Sequence, residues 1–207
     1  MLHNALLQLT KRKGKRTLLF YDDGSSAVGW DALGEGRITT AEDCPGLSRA
    51  CLKKDLAGDP NGGYRLFGRP LRRGLTISVM IFHASDRQFG PADRVAIENR
   101  DFSGYGFCLT NNCTTLWIER RDRKRPTTLA RQTVELEPDR WYKFSLCIGS
   151  HPGIYLHVFD ESGVRVASID PVDDGTYSEF DRFVVHGGGT YYLRNIAVER
   201  LQEAASN

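Results

Sequence analysis

One pair of carboxylates in the middle of the chain has the residue types that glycoside chemistry requires. Glu98 and Glu119 each lie in a β-prone run in which polar and apolar residues alternate, so each should point away from its strand's apolar face. Glycosidases need two carboxyl groups facing each other across a cleft, roughly 5–10 Å apart. Glu98 and Glu119 could form such a pair if their strands are neighbours, although carboxylates on a protein surface are common.

Other catalytic arrangements have less support. The chain contains no G-x-S-x-G sequence, which a strained nucleophile turn would require. The three histidines that lie in β-prone runs are therefore predicted to be structural: His83, His157 and His186. Gly187-Gly188-Gly189 lies between two strand candidates, which predicts a hairpin turn and not a phosphate-binding loop at a helix start. Whether the protein is an enzyme is accordingly uncertain, and these observations favour a protein that is not an enzyme.

A hairpin is predicted to place Trp117 on the solvent side of its strand. Asn tolerates positive φ, so Asn111-Asn112 is a candidate two-residue turn between two alternating runs. The predicted register has three main pairs: Phe107 with Leu116, Tyr105 with Ile118, and Gly106 with Trp117. The first two pairs should be buried, and Trp117 should stand beside Gly106 on the opposite face.

The rest of the chain has turn-forming residues at the spacing expected of an all-β protein. Short β-prone runs are separated by Gly, Pro, Asn and Asp about every 8–12 residues, as in a sandwich or barrel. A chain of 207 residues is long enough to bury one full core. We therefore predict one domain over residues 17–200, preceded by a basic segment at 1–16 and followed by a tail at 201–207.

Composition excludes some partners. The formal net charge of +2 gives no reason to expect nucleic acid, and the basic run at 11–16 is predicted to be a solvated tail. No stretch of about 18 apolar residues occurs, so no membrane span is expected. The apolar segment at 2–9 precedes its charges, which is the wrong order for a signal peptide. The protein is therefore either retained inside the cell or an excised or mature domain. Nothing in the sequence indicates the oligomeric state.

The five cysteines leave the redox state open. They show no metal-binding spacing, and an odd number leaves at least one thiol unless two chains are bridged. Cys44 and Cys51 flank Pro45-Gly46 and could close a small loop as a disulfide or remain reduced. Cys108 and Cys113 would be diagonal neighbours in the predicted hairpin, so two thiols are expected there.

Several short runs in the second half resemble one family. They are residues 103–107 (SGYGF), 116–120 (LWIER), 136–144 (LEPDRWYKF), 180–188 (FDRFVVHGG) and 191–198 (YYLRNIAV). In this order and spacing they resemble the concanavalin A-like lectin/glucanase superfamily, particularly its laminin-G-like domains. The resemblance covers roughly residues 17–200. It implies an antiparallel two-sheet jelly-roll sandwich and an extracellular or cell-surface location.

The resemblance also implies an oligo- or polysaccharide ligand. A sugar site needs an aromatic ring for the apolar face of the sugar and planar polar groups for its hydroxyls. The candidate binding residues are Trp117, Glu119, Arg94, Glu98, Trp30 and Tyr64. Each aromatic residue could instead pack under a loop. We expect a non-catalytic carbohydrate-binding module. The alternatives are a glycoside hydrolase or polysaccharide lyase that uses Glu98 and Glu119, and a laminin-G-like protein-interaction domain.

The chain departs from the family at its calcium position. Relatives place an Asp in the last strand to help hold a structural calcium ion, whereas this sequence has Arg194 there. A guanidinium cannot ligate calcium, so we expect neither a metal at that position nor any other cofactor. Asp22 or Asp23 in the opening strand is predicted to pair with Arg194 instead. The acidic residues Asp170, Asp173 and Asp174 could bind a hard cation or form a solvated turn.

Overall fold

The computed structural model describes residues 16–33, 37–54, 62–85, 92–110, 112–123 and 125–201, and these ranges contain fifteen β-strands and no helix. Hence none of the described residues belongs to a helix that could cross a membrane. The strands are β1 (Arg16–Asp22), β2 (Asp31–Ala32), β3 (Ile38–Ala41), β4 (Cys51–Lys54), β5 (Gly63–Arg72), β6 (Leu75–His83), β7 (Asp93–Glu98), β8 (Gly104–Leu109), β9 (Thr115–Asp122), β10 (Arg125–Thr133), β11 (Trp141–Ile148), β12 (Gly153–Phe159), β13 (Arg165–Asp173), β14 (Glu179–His186) and β15 (Tyr191–Leu201).

The strands form two antiparallel sheets. The eight-stranded sheet has the order β13-β12-β11-β6-β15-β4-β3, and β1 also pairs with β15. The seven-stranded sheet has the order β10-β9-β8-β7-β14-β5-β2. The predicted all-β, two-sheet sandwich is confirmed. The predicted segment at 1–16 and tail at 201–207 lie outside the described residues, apart from Arg16 and Leu201.

Apolar and polar side chains alternate in the central strands, and the apolar ones form the core between the sheets. In β11, Phe144 and Leu146 are buried against the other sheet, while Lys143 and Ser145 alternate with them on the outer face. The ring of Phe144 stacks on Phe107 of β8, with centroids 4.9 Å apart and planes within 7°. Burying a side chain of this size contributes roughly 1.5–3 kcal/mol. The contact therefore anchors the two sheets to each other at their centres.

The hairpin between β8 and β9 confirms the predicted faces but not the predicted register. Tyr105, Phe107, Leu116 and Ile118 are all buried in the core, as expected. Phe107 pairs with Ile118, however, and Cys108 pairs with Trp117, so the predicted register is wrong by two residues. The reason is the loop: Cys113 N donates to Thr110 O (2.8 Å), and the Thr110 hydroxyl accepts from Thr115 N (2.9 Å). A four-residue connection therefore replaces the predicted two-residue turn, and a slip of two keeps every side chain on its face.

Cys44 and Cys51 form a disulfide, and their Cα atoms are 5.5 Å apart. The bridge packs with Trp141, whose indole N–H donates to Pro45 O at 2.8 Å. Three further cysteines are buried free thiols: Cys108, Cys113 and Cys147. The two thiols expected at the β8–β9 hairpin are therefore present.

The prediction that Asp22 or Asp23 pairs with Arg194 is wrong. The Arg194 guanidinium lies over the ring of Trp141, 4.5 Å from its centroid. Asp22 instead lies 3.3 Å from Arg65 Nε. The physical reason is a β-bulge: Asn195 has positive φ (51°), and the register of β15 with β6 shifts between Arg194 and Ala197. Ile196, the partner of Asp22, therefore faces the core, while Arg194 lies over an aromatic ring on the outer side of the eight-stranded sheet.

Candidate functional site

The outer face of the seven-stranded sheet carries an unusual density of polar side chains. Register pairing across β14, β7, β8 and β9 arranges the outward residues in three rows: His186-Arg94-Cys108-Trp117, Val184-Ala96-Gly106-Glu119 and Arg182-Glu98-Gly104-Arg121. Such a face is normally solvated, yet most of these side chains are buried. We call Arg94, Glu98, Cys108, Glu119, Arg121 and His186 the outer-face cluster.

Arg94 lies at the centre of the cluster and binds both candidate carboxylates. Its Nη1 is 2.6 Å from Glu98 Oε1, and its Nε is 2.9 Å from Glu119 Oε1. Arg94 is 2% exposed, Glu98 1% and Glu119 7%. Ala96 and Gly106 form the floor between β7 and β9, so no long side chain competes for the space that the guanidinium occupies. The one guanidinium and two carboxylates leave one negative charge in excess, and the neighbouring Arg121, on which both carboxylates also act, balances it. Buried charges are tolerated only when they are compensated in this way.

His186 completes the cluster as a neutral acceptor. Its Nε2 lies 3.0 Å from Arg94 Nη1 and 2.9 Å from Arg121 Nη1. A guanidinium can only donate, so Nε2 must accept and the ring proton must be on Nδ1. Burial, Arg94, Arg121 and Lys54 together hold the pKa of His186 well below its usual 6.5. The imidazole is therefore uncharged at neutral pH.

Arg121 is the second guanidinium of the cluster, and its partners differ from those of Arg94. Within the part of the chain that the structure describes, no carboxylate lies in ion-pair distance of Arg121, and its buried Nε has no acceptor. Arg94 Nη2 is likewise buried without an acceptor. Burial and the repulsion from Arg94 lower the pKa of Arg121. Glu98 Oε1 and Glu119 Oε1 also lack a hydrogen bond of good geometry, but each lies in ion-pair contact with Arg94. An unsatisfied buried donor costs about 1–3 kcal/mol, so Arg121 Nε and Arg94 Nη2 would each gain from an added acceptor.

Cys108 is an unreactive thiol in this setting. Its Sγ donates to Glu119 Oε2 at 3.5 Å. Burial, reinforced by the charge of Glu119, raises its pKa well above the usual value. A nucleophilic cysteine needs a lowered pKa, so Cys108 serves as a hydrogen-bond donor to Glu119 and not as a nucleophile.

Trp117 lies on the same face of β9 as Glu119 and Arg121. It is half-buried, and the exposed Arg131 on β10 extends its guanidinium over the ring, 5.1 Å from the centroid. A half-buried indole with an exposed, movable cation above it can offer its face to another flat or apolar surface. The structure thus brings Trp117, Glu119, Arg94 and Glu98 onto one surface.

The other two candidate aromatic residues lie elsewhere. Tyr64 is on the same outer face but on β5, four strands from β9, where the guanidinium of Arg182 covers its ring at 5.0 Å. Trp30 packs edge-on against the core residue Phe183, with centroids 5.9 Å apart, and donates to Asp22 Oδ2 at 3.1 Å. Trp30 therefore anchors a loop on the core side of the sheet.

Sequence reasoning missed Arg121 and His186. The period of two that selected Trp117 and Glu119 continues to Arg121 and could have identified it. His186 had no comparable signal, because it joins Arg94 only through the pairing of β14 with β7.

A pocket lies at one end of the same sheet. The loops β7–β8, β9–β10 and β13–β14 enclose an open pocket of about 660 Å³, lined by Asn99, Asp101, Ser103, Asp122, Arg123, Arg125 and Tyr177. The Tyr177 hydroxyl donates to Asp122. In the β13–β14 loop Asp174 accepts from Tyr105 (2.7 Å) and Arg120 (2.8 Å), so its carboxylate is engaged by protein donors. The described residues contain no group of three or more His, Cys, Asp or Glu that could hold a metal ion.

Sequence comparison gives a limited result. No known family profile matches the chain. An uncharacterized protein of Methanocaldococcus jannaschii is 31% identical in an alignment of 185 residues that covers 86% of this chain and 19% of that protein. The chain therefore spans about a fifth of the length of this relative, and the relative's description assigns no function.

Comparison with solved structures shows the fold. A protein of unknown function with a galectin-like fold from Bacillus subtilis aligns with a TM-score of 0.64 at 12% identity, over 93% of this chain and 99% of that one. The carbohydrate-binding module CBM66 of B. subtilis aligns with a TM-score of 0.61 at 13% identity, over 83% and 95%. The endo-β-1,4-glucuronan lyase of Trichoderma reesei aligns with a TM-score of 0.58 at 14% identity, over 89% and 96%. The chain therefore has the jelly-roll sandwich fold that galectin-like proteins share with carbohydrate-binding modules.

Proposed function

We propose that this domain is a non-catalytic carbohydrate-binding module whose ligand, an oligo- or polysaccharide, lies on the outer face of the seven-stranded sheet. The observation that carries the proposal is the shared face of Trp117, Glu119 and Arg121 on β9. Sugar recognition requires an aromatic ring for the apolar face of the sugar and planar polar groups for its hydroxyls. The Cys44–Cys51 disulfide supports a further proposal, that the domain works in an oxidising, extracellular or cell-surface setting.

The geometry of the carboxylates favours binding over cleavage. A glycosidase pair must leave space between its carboxyl groups for the sugar or for water. Glu98 and Glu119 are instead both buried and both in contact with Arg94. Cleavage by a hydrolase or lyase would require Arg94 to withdraw from between them. A laminin-G-like protein interaction is the second candidate, because it would use loops, and the open pocket that includes Asn99 and Tyr177 is formed by loops.

The proposal is tested with a glycan array, followed by an assay for reducing-end release on every glycan that binds. We expect binding without release. Trp117→Ala should weaken binding at least about fivefold, because aromatic stacking contributes about 1 kcal/mol. Tyr155→Ala is the matched control, since it removes a half-buried aromatic residue from the outer face of the other sheet. It should bind like the wild type.

Each contrary result identifies a different error. Loss of binding in Tyr155→Ala but not in Trp117→Ala would place the site on the eight-stranded sheet. Release of reducing ends would replace the binding function with hydrolysis or elimination. Binding to no glycan would overturn the proposal and direct attention to the loop pocket.

A further inference from the structure

The outer-face cluster has an unequal distribution of charge. Both carboxylates, Glu98 and Glu119, are within 3 Å of Arg94. Arg121 is left facing Arg94 and the neutral ring of His186, whose Nε2 accepts from both guanidinium groups. One guanidinium therefore has two carboxylates in ion-pair contact, and the other has none at that distance within the described residues, although Glu98 and Glu119 still raise the pKa of Arg121 from farther away.

Two donors are left without an acceptor by this arrangement. Arg121 Nε and Arg94 Nη2 are buried and lack acceptors. Their guanidinium groups share the acceptor His186 Nε2, so the two groups are neighbours. Forked N–H donors of this kind match the two oxygens of a carboxylate. An added acceptor would satisfy these donors, and an anionic one would also offset the repulsion between the two arginines.

Trp117 lies on the same face as these donors, where its ring could stack on a sugar. Trp117 and Arg121 are four residues apart on one face of β9, which is about 13 Å at roughly 3.3 Å per residue. Both are half-buried and are reached from the solvent side of the sheet. A chain of sugars stacked on Trp117 can therefore extend along the strand and bring a substituent to Arg121.

We propose that the outer-face cluster selects acidic saccharides, with Arg121, supported by Arg94, binding the carboxylate of a uronic acid residue while Trp117 stacks on the sugar chain. This inference rests on the proposed function and specifies its ligand class. It predicts that acidic glycans predominate among those that bind, and that the carboxylate itself is recognised.

The test uses the acidic glycans that bind on the array and the same glycans after chemical reduction of their carboxyl groups to alcohols. Calorimetric titration of each pair with the wild type should show at least about tenfold weaker binding after reduction. Arg121→Gln should bind both forms with similar, weakened affinity, and Arg121→Lys should retain part of the preference. Arg165→Gln is the matched control, because it removes an exposed arginine from the other sheet. Thermal melts verify that each variant is folded.

The outcomes separate this inference from the proposed function. Binding confined to neutral glycans, or equal affinity before and after carboxyl reduction, would overturn the uronic acid assignment and leave carbohydrate binding intact. A preference for the acid that survives in folded Arg121→Gln would place the anion elsewhere. Binding to no glycan at all would overturn the proposed function itself.

Discussion

Arg121 Nη1 lies 2.9 Å from His186 Nε2, although β8 and β7 separate their strands. The two side chains lean towards each other over the middle strands, where Ala96 and Gly106 have little side chain of their own. They thus cover Arg94 and its carboxylate partners. This contact explains how charged residues on the outside of a sheet become buried.

The contact predicts a pH-dependent stability. The pKa of His186 is well below 6.5 in the folded protein because of burial and three nearby cations. In the unfolded chain the imidazole titrates near its ordinary 6.5, so below that pH the unfolded state binds a proton that the folded state does not. The stabilisation is complete above about pH 6.5 and decreases as the pH falls, by at most about 1.4 kcal/mol per pH unit.

Urea unfolding between pH 5 and 8 measures this effect in the wild type and in His186→Gln. The amide of Gln can accept from the arginines but does not titrate. The difference in unfolding free energy between the two proteins should shrink as the pH falls below 6.5. A constant difference over the whole range would show that His186 is not held neutral.

Replacement of Arg94 should destabilise the protein strongly. Arg94→Met retains much of the side-chain volume but leaves Glu98 and Glu119 buried without their cation, which typically costs about 3–5 kcal/mol. Adding Glu98→Gln and Glu119→Gln removes the uncompensated charges and should restore at least half of that loss. Chemical denaturation measures both. A single variant as stable as the wild type would mean that the three charges are not mutually dependent.

Reduction of the Cys44–Cys51 disulfide should lower the melting temperature. The bridge closes a loop with a sequence separation of 7, for which loop-closure entropy gives roughly 2–3 kcal/mol. Melting curves with and without reductant measure the change. The Cys44→Ser/Cys51→Ser variant should melt like the reduced protein and should not respond to reductant. A reductant effect that persists in this variant would have another origin.

Calcium should leave the melting temperature unchanged. Arg194, which the sequence resemblance aligns with a last-strand calcium ligand of its relatives, lies over Trp141. The Asp22 oxygens accept hydrogen bonds from Gly24 N (2.9 Å) and Trp30 Nε1 (3.1 Å). The oxygens that calcium requires are therefore engaged by protein donors. Melts with calcium and with chelator should coincide. A calcium-dependent rise that disappears in Asp22→Ala/Asp23→Ala would show that other ligands preserve the site.

The local sequence was sufficient for the class of fold and for the face of each central strand. Alternation is a property of adjacent residues, so it assigned Trp117 and Glu119 to the outer face of β9, and Arg94 and Glu98 to that of β7. These assignments survived an incorrect hairpin register because the register was wrong by an even number of residues.

The partners of these residues depended on tertiary structure. His186 contacts Arg94 across 92 positions of sequence, because β14 pairs with β7 in the finished sheet. Asp22 binds Arg65 of the other sheet and not Arg194, because the bulge at Asn195 turns Arg194 away from the face on which Asp22 meets β15. Strand order and side-chain partners arise from packing between distant segments, and the alternation of neighbouring residues contains no information about which distant strand will lie alongside.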